Sequence, residues 1–239
     1  MKGIILAGGT GSRLMPLTKV TNKCLLPVGK RPMIEHCLNI LINAGIDDVM
    51  LVTGPDHMGH IIALLGSGAE YGCTMSYKVQ DNADGIAAAL KLCKNFVGNE
   101  KCVVILGDNI FEDQITPSNA IKNFKESKDS FLLFAKQVPD PQRFGVPVIV
   151  NDKVIDIVEK PKNPPTNKAI VGLYCYSSEV FSIIETLKPS QRGEYEISDV
   201  NSFMVKNREG NIVDIQGGWV DAGTHESYTR ANQMMWEAK

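Results

Sequence analysis

The chain has 239 residues, 44% of them hydrophobic, and its 25 Lys and Arg against 27 Asp and Glu give a formal net charge of −2. That length and apolar content suit one large α/β domain with a substantial core. The near-neutral balance argues against a nucleic-acid polymer as partner. The six cysteines, Cys24, Cys37, Cys73, Cys93, Cys102 and Cys175, are dispersed without a Cys-x-x-Cys pair, which reads as packing thiols in a reducing cytoplasm. No apolar run is long enough to span a bilayer. Residues 1–4 enter a strand pattern without the apolar core of a secretory signal, so neither membrane nor export is expected.

Residues 2–7 form a short apolar run that reads as a buried strand. It opens into Leu6-Ala-Gly-Gly-Thr-Gly-Ser-Arg-Leu14, where Gly8, Gly9 and Gly11 free the backbone to turn and aim its N–H groups at phosphate oxygens. Arg13 adds a forked cation. The dinucleotide fingerprint fails because Leu14 stands where glycine or alanine is needed, and no Gly-Lys-Ser/Thr closes a P-loop.

Pro32 then precedes a helical face of Ile34, Leu38, Leu41 and Ile42, ended near Gly45. A strand at 49–52 completes a β-loop-α-β opening, the start of a parallel sheet with right-handed connections. A helix is expected over 57–65, with His57 and His60 on an exposed face. A strand over 74–79 delivers Gln80, a turn carries Gly85, and an alanine-rich helix starts at Ile86. The strand over 102–106 ends in Gly107-Asp108-Asn109, in the position where open α/β sheets bind ligands. The pattern loosens over 110–116. A helix over 118–124 and a strand over 131–136 follow, then a hairpin of 146–150 and 154–158. The remaining elements are a strand over 169–176, helices over 179–187 and 197–206, a strand over 212–216, and a closing helix capped by Thr224. The overall expectation is a Rossmann-like, open, mostly parallel sheet with helices on both faces and a smaller mixed subdomain after about residue 139.

The loop Gly8-Gly9-Thr10-Gly11-Ser12-Arg13-Leu14, followed by Lys23-Cys24-Leu25-Leu26-Pro27, resembles the signature of the sugar-1-phosphate nucleotidyltransferases, and within them the thymidylyltransferases. Gly107-Asp108-Asn109, Glu159-Lys160-Pro161, Arg192-Gly-Glu-Tyr-Glu and Trp219-Val-Asp221-Ala-Gly-Thr224 keep the family's order across nearly the whole chain. Departures are Ala88, where a glutamine is often seen, and Cys24, where a larger polar residue is usual.

The resemblance implies transfer of a thymidylyl group from dTTP to glucose 1-phosphate by direct in-line displacement, with pyrophosphate released. UTP or another hexose 1-phosphate is the alternative, as is a catalytically silent nucleotide-sugar-binding subunit. It implies nucleotide contacts at Leu6, Gly8, Gly9, Thr10, Gly11, Arg13, Gln80 and Gly85, with Gln80 and Gly85 reading the base. Asp108 and Asp221 are implied as holders of Mg²⁺, and Lys23 as a catalytic cation. Sugar contacts fall at Asn109, Gly145, Glu159, Lys160, Val171 and Arg192, with Lys160 and Arg192 on the sugar phosphate. No nucleophile and base pair suggests a covalent step. One domain is expected, with a nucleotide-binding half at about 1–138 and a sugar-binding, metal-completing half at 139–239. A homo-oligomer is also implied. The extra C-terminal helices that build a regulatory site in longer relatives are not expected in this chain.

Overall fold

A computed structural model describes residues 1–237. In chain order the strands are β1 (Lys2–Leu6), β2 (Pro27–Val28), β3 (Arg31–Pro32), β4 (Asp48–Thr53), β5 (Thr74–Val79), β6 (Cys102–Leu106), β7 (Asn109–Phe111), β8 (Phe131–Gln137), β9 (Gly145–Val150), β10 (Lys153–Glu159), β11 (Lys168–Tyr176), β12 (Gly210–Asp214) and β13 (Trp219–Asp221). The α-helices are α1 (Met33–Asn43), α2 (Met58–Leu65), α3 (Ile86–Lys91), α4 (Lys94–Val97), α5 (Ile115–Glu126), α6 (Val180–Thr186), α7 (Ile197–Asn207) and α8 (His225–Glu237). None is long and apolar enough to cross a membrane among the described residues.

One nine-stranded sheet runs β10-β9-β11-β6-β1-β4-β5, with β8 and β12 joined beside β11. β1 pairs in parallel with β4 and β6, and β4 with β5. β11 returns antiparallel between β6 and β8, while β12 lies parallel to β8. Only β10 and β11 reverse the common direction, so the sheet is mostly parallel, as expected. Strands buried on both faces carry continuous apolar runs. Alternation then sends Ile5, Leu51 and Val103 toward α1, α2 and α5, and Ile4, Val52 and Val104 toward α3, α6 and α7. The hairpin from β9 to β10 turns through Asn151 (φ 48°) and Asp152 (φ 61°), the pair of left-handed residues that a two-residue turn matching the strand twist requires.

Residues 110–116 are more ordered than their pattern suggested. β7 pairs antiparallel with β13, setting Asn109 opposite Asp221, and α5 already begins at Ile115. Strands this short have no readable period, and the partner lies over a hundred residues away. The ribbon of β7 and β13 sits on a third apolar cluster that includes Leu14, Leu26, Ile110, Val220, Ala222 and Ala231. The strand expected over 212–216 instead starts at Gly210, where it pairs with Phe131.

Thr224 caps α8 by accepting the Ser227 N–H at 3.2 Å. The helix then clasps the N-terminal segment: Tyr228 donates to the Pro27 carbonyl at 2.7 Å, and the Asn232 amide oxygen accepts the Gly29 N–H at 3.1 Å. Leu14 is thereby buried against the ribbon that carries Asp221. All six cysteines are free and buried, consistent with packing.

Candidate active site

The site forms beyond the carboxyl ends of β1, β5 and β6, where helices depart and backbone groups are left open. After β1 the glycine loop runs close to its neighbours. A methyl group on Gly8 would lie 2.7 Å from Gln80 Oε1, and one on Gly9 would lie 3.1 Å from Lys23 Nζ. Gly11 has φ 66°, and its carbonyl accepts the Thr18 hydroxyl at 2.7 Å. These glycines therefore allow both the turn and the approach of two side chains. Arg13 follows on a short helical turn, its neighbour Leu14 anchored in the third cluster while Arg13 itself is exposed.

Asp108 follows β6 and is ion-paired with the Lys23 ammonium. Burial works to raise the Asp108 carboxyl, but the adjacent Lys23 outweighs it and holds the group below its ordinary value. Burial likewise opposes the charge on Lys23, and Asp108 reverses that and keeps it protonated. Lys23 is therefore a fixed cation and no base. Asp221 behaves differently: burial, then repulsion from Asp108, push its carboxyl up to about 6. The Ala222 N–H donates to the Asp108 carbonyl at 2.9 Å, locking the two acids' backbones together.

The convergence is sharpest at Gly223. A methyl group built there would lie 2.9 Å from Asp221 Oδ1, 3.1 Å from Arg13 Nη2 and 3.7 Å from Asp108 Oδ2. Two carboxylates that repel across one small space fit a divalent cation. No cluster of three or more His, Cys, Asp or Glu suited to a metal occurs among the described residues. An ion held here would complete its shell from phosphate oxygens and water, as Mg²⁺ commonly does. His57 and His60 stack with ring centroids 5.8 Å apart, without such a third ligand.

Three cavities line up as one trench. The middle one, about 280 Å³, is bounded by Leu6, Gly8, Gly9, Lys23, Gln80 and Gly85. A smaller one of about 200 Å³ continues past Thr10 and His57. The third, about 410 Å³, extends toward β9 to β11 and shares Arg13, Ile86, Leu106, Glu194 and Asp221 with the first. Gly85 has φ 102°, and a methyl there would meet the Tyr195 carbonyl oxygen at 2.6 Å. Glycine is thus required at that position for packing as well as for backbone shape.

At the far end, Gly145 lies under Ser198, whose hydroxyl donates to Glu159. Glu159 also meets Lys160 at 3.0 Å and Arg192 at 3.4 Å. Arg192 is shared among Glu159, Glu194 and Glu196, its tightest contact being 2.8 Å to Glu196. Both cations expected on the sugar phosphate are therefore already paired with carboxylates.

Asn109 is spent internally. Its Oδ1 accepts the Gly172 N–H and the Trp219 indole N–H, each at 2.9 Å, and its amide donates to Asp108. Of its groups only one amide hydrogen remains for a sugar. Asn109 fills the ladder position on β11 between the end of β6 and the start of β9. Val171 turns its side chain into the core, and its neighbours Ile170 and Gly172 line the cavity instead. A contact at Val171 can come only from its backbone.

Sequence reasoning missed Arg143, Tyr174, Glu196, Ser198 and Trp219, all of which line the third cavity of the trench. A lone arginine in a 3₁₀ turn or a buried strand tyrosine carries no motif. Only the closeness of Glu194 and Glu196 to Arg192 could have signalled that pairing.

A fold of this topology, with a glycine loop facing paired acids, defines a nucleotide-handling transferase. The family model described as nucleotidyl transferase matches residues 2–237, and the chain belongs to that family and is an enzyme of it. It is 41% identical to a glucose-1-phosphate thymidylyltransferase of Neisseria meningitidis over 97% of this chain and 81% of the relative. It is 38% identical to the low-salt glycan biosynthesis nucleotidyltransferase Agl11 of Haloferax volcanii, over 100% of this chain and 67% of the relative. Among solved structures, a Bacillus anthracis protein assigned as a glucose-1-phosphate thymidylyltransferase and crystallised with sucrose superposes with a TM-score of 0.94. That protein is 51% identical, and the match covers 100% of this chain and 96% of the other.

Proposed function

We propose that this enzyme transfers a thymidylyl group from dTTP to glucose 1-phosphate, releasing pyrophosphate. The observation that carries the reading is the meeting of Asp108, Asp221 and Arg13 before Gly223, at the junction of a base-sized and a sugar-sized cavity. The curated relatives named for the same reaction support it.

Both substrates are anionic, so charge neutralisation and alignment dominate the barrier. A sugar phosphate has its second pKa near ~6, so at neutral pH its oxygen attacks the α-phosphorus without a general base. Lys23, held protonated beside Asp108, faces the developing equatorial charge. Arg13 and the amides of the glycine loop hold the departing pyrophosphate. Asp108 and Asp221 would hold Mg²⁺, which when bound supplies Lewis-acid neutralisation of phosphate charge. Gln80 offers an amide donor and acceptor to the pyrimidine edge, and Glu159 accepts from sugar hydroxyls.

The test is pyrophosphate release by purified protein with Mg²⁺, across a panel of nucleoside triphosphates and hexose 1-phosphates. The reading expects the highest kcat/KM for dTTP with glucose 1-phosphate. UTP should follow within about 10- to 200-fold, the reach of a single methyl group. Equal rates with purine triphosphates would defeat the role of Gln80.

A further inference from the structure

Resting on that reading, we infer that Asn22 is a positioning residue for the reaction: it fixes where the Lys23 ammonium sits without itself touching substrate. Lys23 is a point charge on a flexible four-carbon stem. Asp108 holds its head, but the stem is aimed by the backbone it leaves. That backbone lies in the 3₁₀ turn Lys23–Leu25, and Asn22 caps it.

The cap works in two directions. Asn22 is extended (φ −67°, ψ 141°), its Oδ1 accepts the Cys24 N–H at 2.8 Å, and its carbonyl accepts the Leu25 N–H at 3.0 Å, the arrangement an N-cap asparagine favours. Its Nδ2 points the other way and donates to the Ala7 carbonyl at 2.9 Å and to the Thr53 hydroxyl at 3.4 Å. Ala7 is where β1 gives way to the glycine loop, so its buried carbonyl takes donors from side chains. Thr53 closes β4 and donates to the same carbonyl at 3.2 Å. One side chain thus ties the ends of β1 and β4 to the turn that carries Lys23.

On its other side the turn is pressed against the end of β6. A methyl group built on Gly107, next to Asp108, would lie 2.8 Å from Cys24 Sγ, and Cys24 is fully buried. Small residues at both positions let the turn approach the strand end that presents Asp108. Asn22 is 6% exposed and lines the smallest cavity of the trench, yet both ends of its amide are engaged by protein. It therefore acts through Lys23.

The experiment compares wild type, Asn22→Ala, Asn22→Ser and Thr53→Val, with Lys23→Met and the double variant N22A/K23M closing a cycle. Readouts are pyrophosphate release at limiting and saturating dTTP and glucose 1-phosphate with Mg²⁺, and calorimetric melting. Lys23 faces charge that develops in the transition state, so N22A should lower kcat by about 10- to 100-fold, the scale of a misplacement near 1 Å, while KM for both substrates stays within about threefold. N22S keeps a hydroxyl acceptor for the cap and should recover about threefold of that loss. T53V removes a hydrogen bond from the same Ala7 carbonyl but leaves the cap intact, so its kcat should stay within about twofold of wild type even where its melting temperature falls as far as that of N22A. In the K23M background N22A should lower kcat by less than about threefold more. Wild-type kcat in folded N22A overturns the inference while leaving the proposed reaction standing. So does an equal kcat loss in T53V, or an N22A effect undiminished in K23M, because Asn22 would then only support the loop. Should N22A or K23M fail to fold, N22S against T53V decides, with N22S expected at about 3- to 30-fold below wild type. Wild-type protein that releases no pyrophosphate from any triphosphate removes the proposed reaction and the inference together.

Discussion

The two ends of the trench solve the same problem, holding anions, with opposite means. At the end proposed for the nucleotide, Arg13 is exposed but the central ion pair of Lys23 with Asp108 is largely enclosed, with glycines packed against Gln80 and Lys23. At the sugar end the charges are more exposed and shared, with Arg192 spread over Glu159, Glu194 and Glu196. A buried, paired cation is pre-organised and cannot wander. A shared, partly exposed one contributes little to stability and must exchange partners when substrate arrives. The floor is thus built for fixed electrostatics and the rim for rearrangement.

That contrast is sharpest between the two acids. Asp108→Asn and Asp221→Asn should each lower kcat by about 10²- to 10³-fold, the scale for removing a positioned charge partner at a phosphoryl centre. Their stabilities should diverge. Asp108→Asn leaves Lys23 buried without its counter-charge and should lower the melting temperature clearly, since breaking such a pair costs about 3–5 kcal/mol. Asp221→Asn removes a carboxyl raised by burial and by Asp108, so its melting temperature should hold or rise. Equal destabilisation of both variants, measured by calorimetry, would erase the distinction between the acids.

A smaller effect is expected at the base. Gln80→Ala should raise KM for dTTP by about 5- to 10-fold, the worth of one or so hydrogen bonds, and should narrow the preference over purine triphosphates. Unchanged selectivity in competition assays would remove Gln80 from base reading.

The smallest effect lies beneath the loop. His36 Nε2 donates to the Val28 carbonyl at 2.9 Å, and burial, the leading cause, lowers its pKa from 6.5. Below pH 6.5 the unfolded chain therefore takes up a proton that the folded chain resists. Stability linked to His36 is full above about pH 6.5 and declines as pH falls toward the lowered folded-state value. His36→Gln should show a shallower fall of melting temperature between about pH 6.5 and 5 than wild type. Parallel curves would show that His36 does not feel its burial.

The same contrast explains what could be read in advance. β5 and β6 coincide with the expected strands, and β1 ends at Leu6, one residue short of its expected run. Continuous apolar runs bounded by glycine or polar turns mark doubly covered strands. Gln80 and Asp108 therefore fell at strand ends on the page as in the fold. Pairing across the chain is not written locally. The β7 and β13 strands are too short for a period, and nothing near Asn109 in the sequence shows that Gly172 and Trp219 would pair with its side-chain oxygen. Arg143 was invisible for the same reason, since a 3₁₀ turn carries it into the lining of a cavity that it shares with Asp221.

The claim beneath this account is that Asp108, Asp221 and Arg13 share one space in which the phosphates meet. Gly223→Ala tests it most directly. The residue has no left-handed backbone, and the new methyl would press on ends of flexible side chains at 2.9 and 3.1 Å, so the fold should tolerate it while the acids and arginine are pushed from register. Pyrophosphate release measured alongside melting temperature should show kcat reduced by about 10²-fold, the penalty of a misplacement near 1 Å, with stability nearly unchanged. Wild-type kcat in a folded G223A protein would contradict the account.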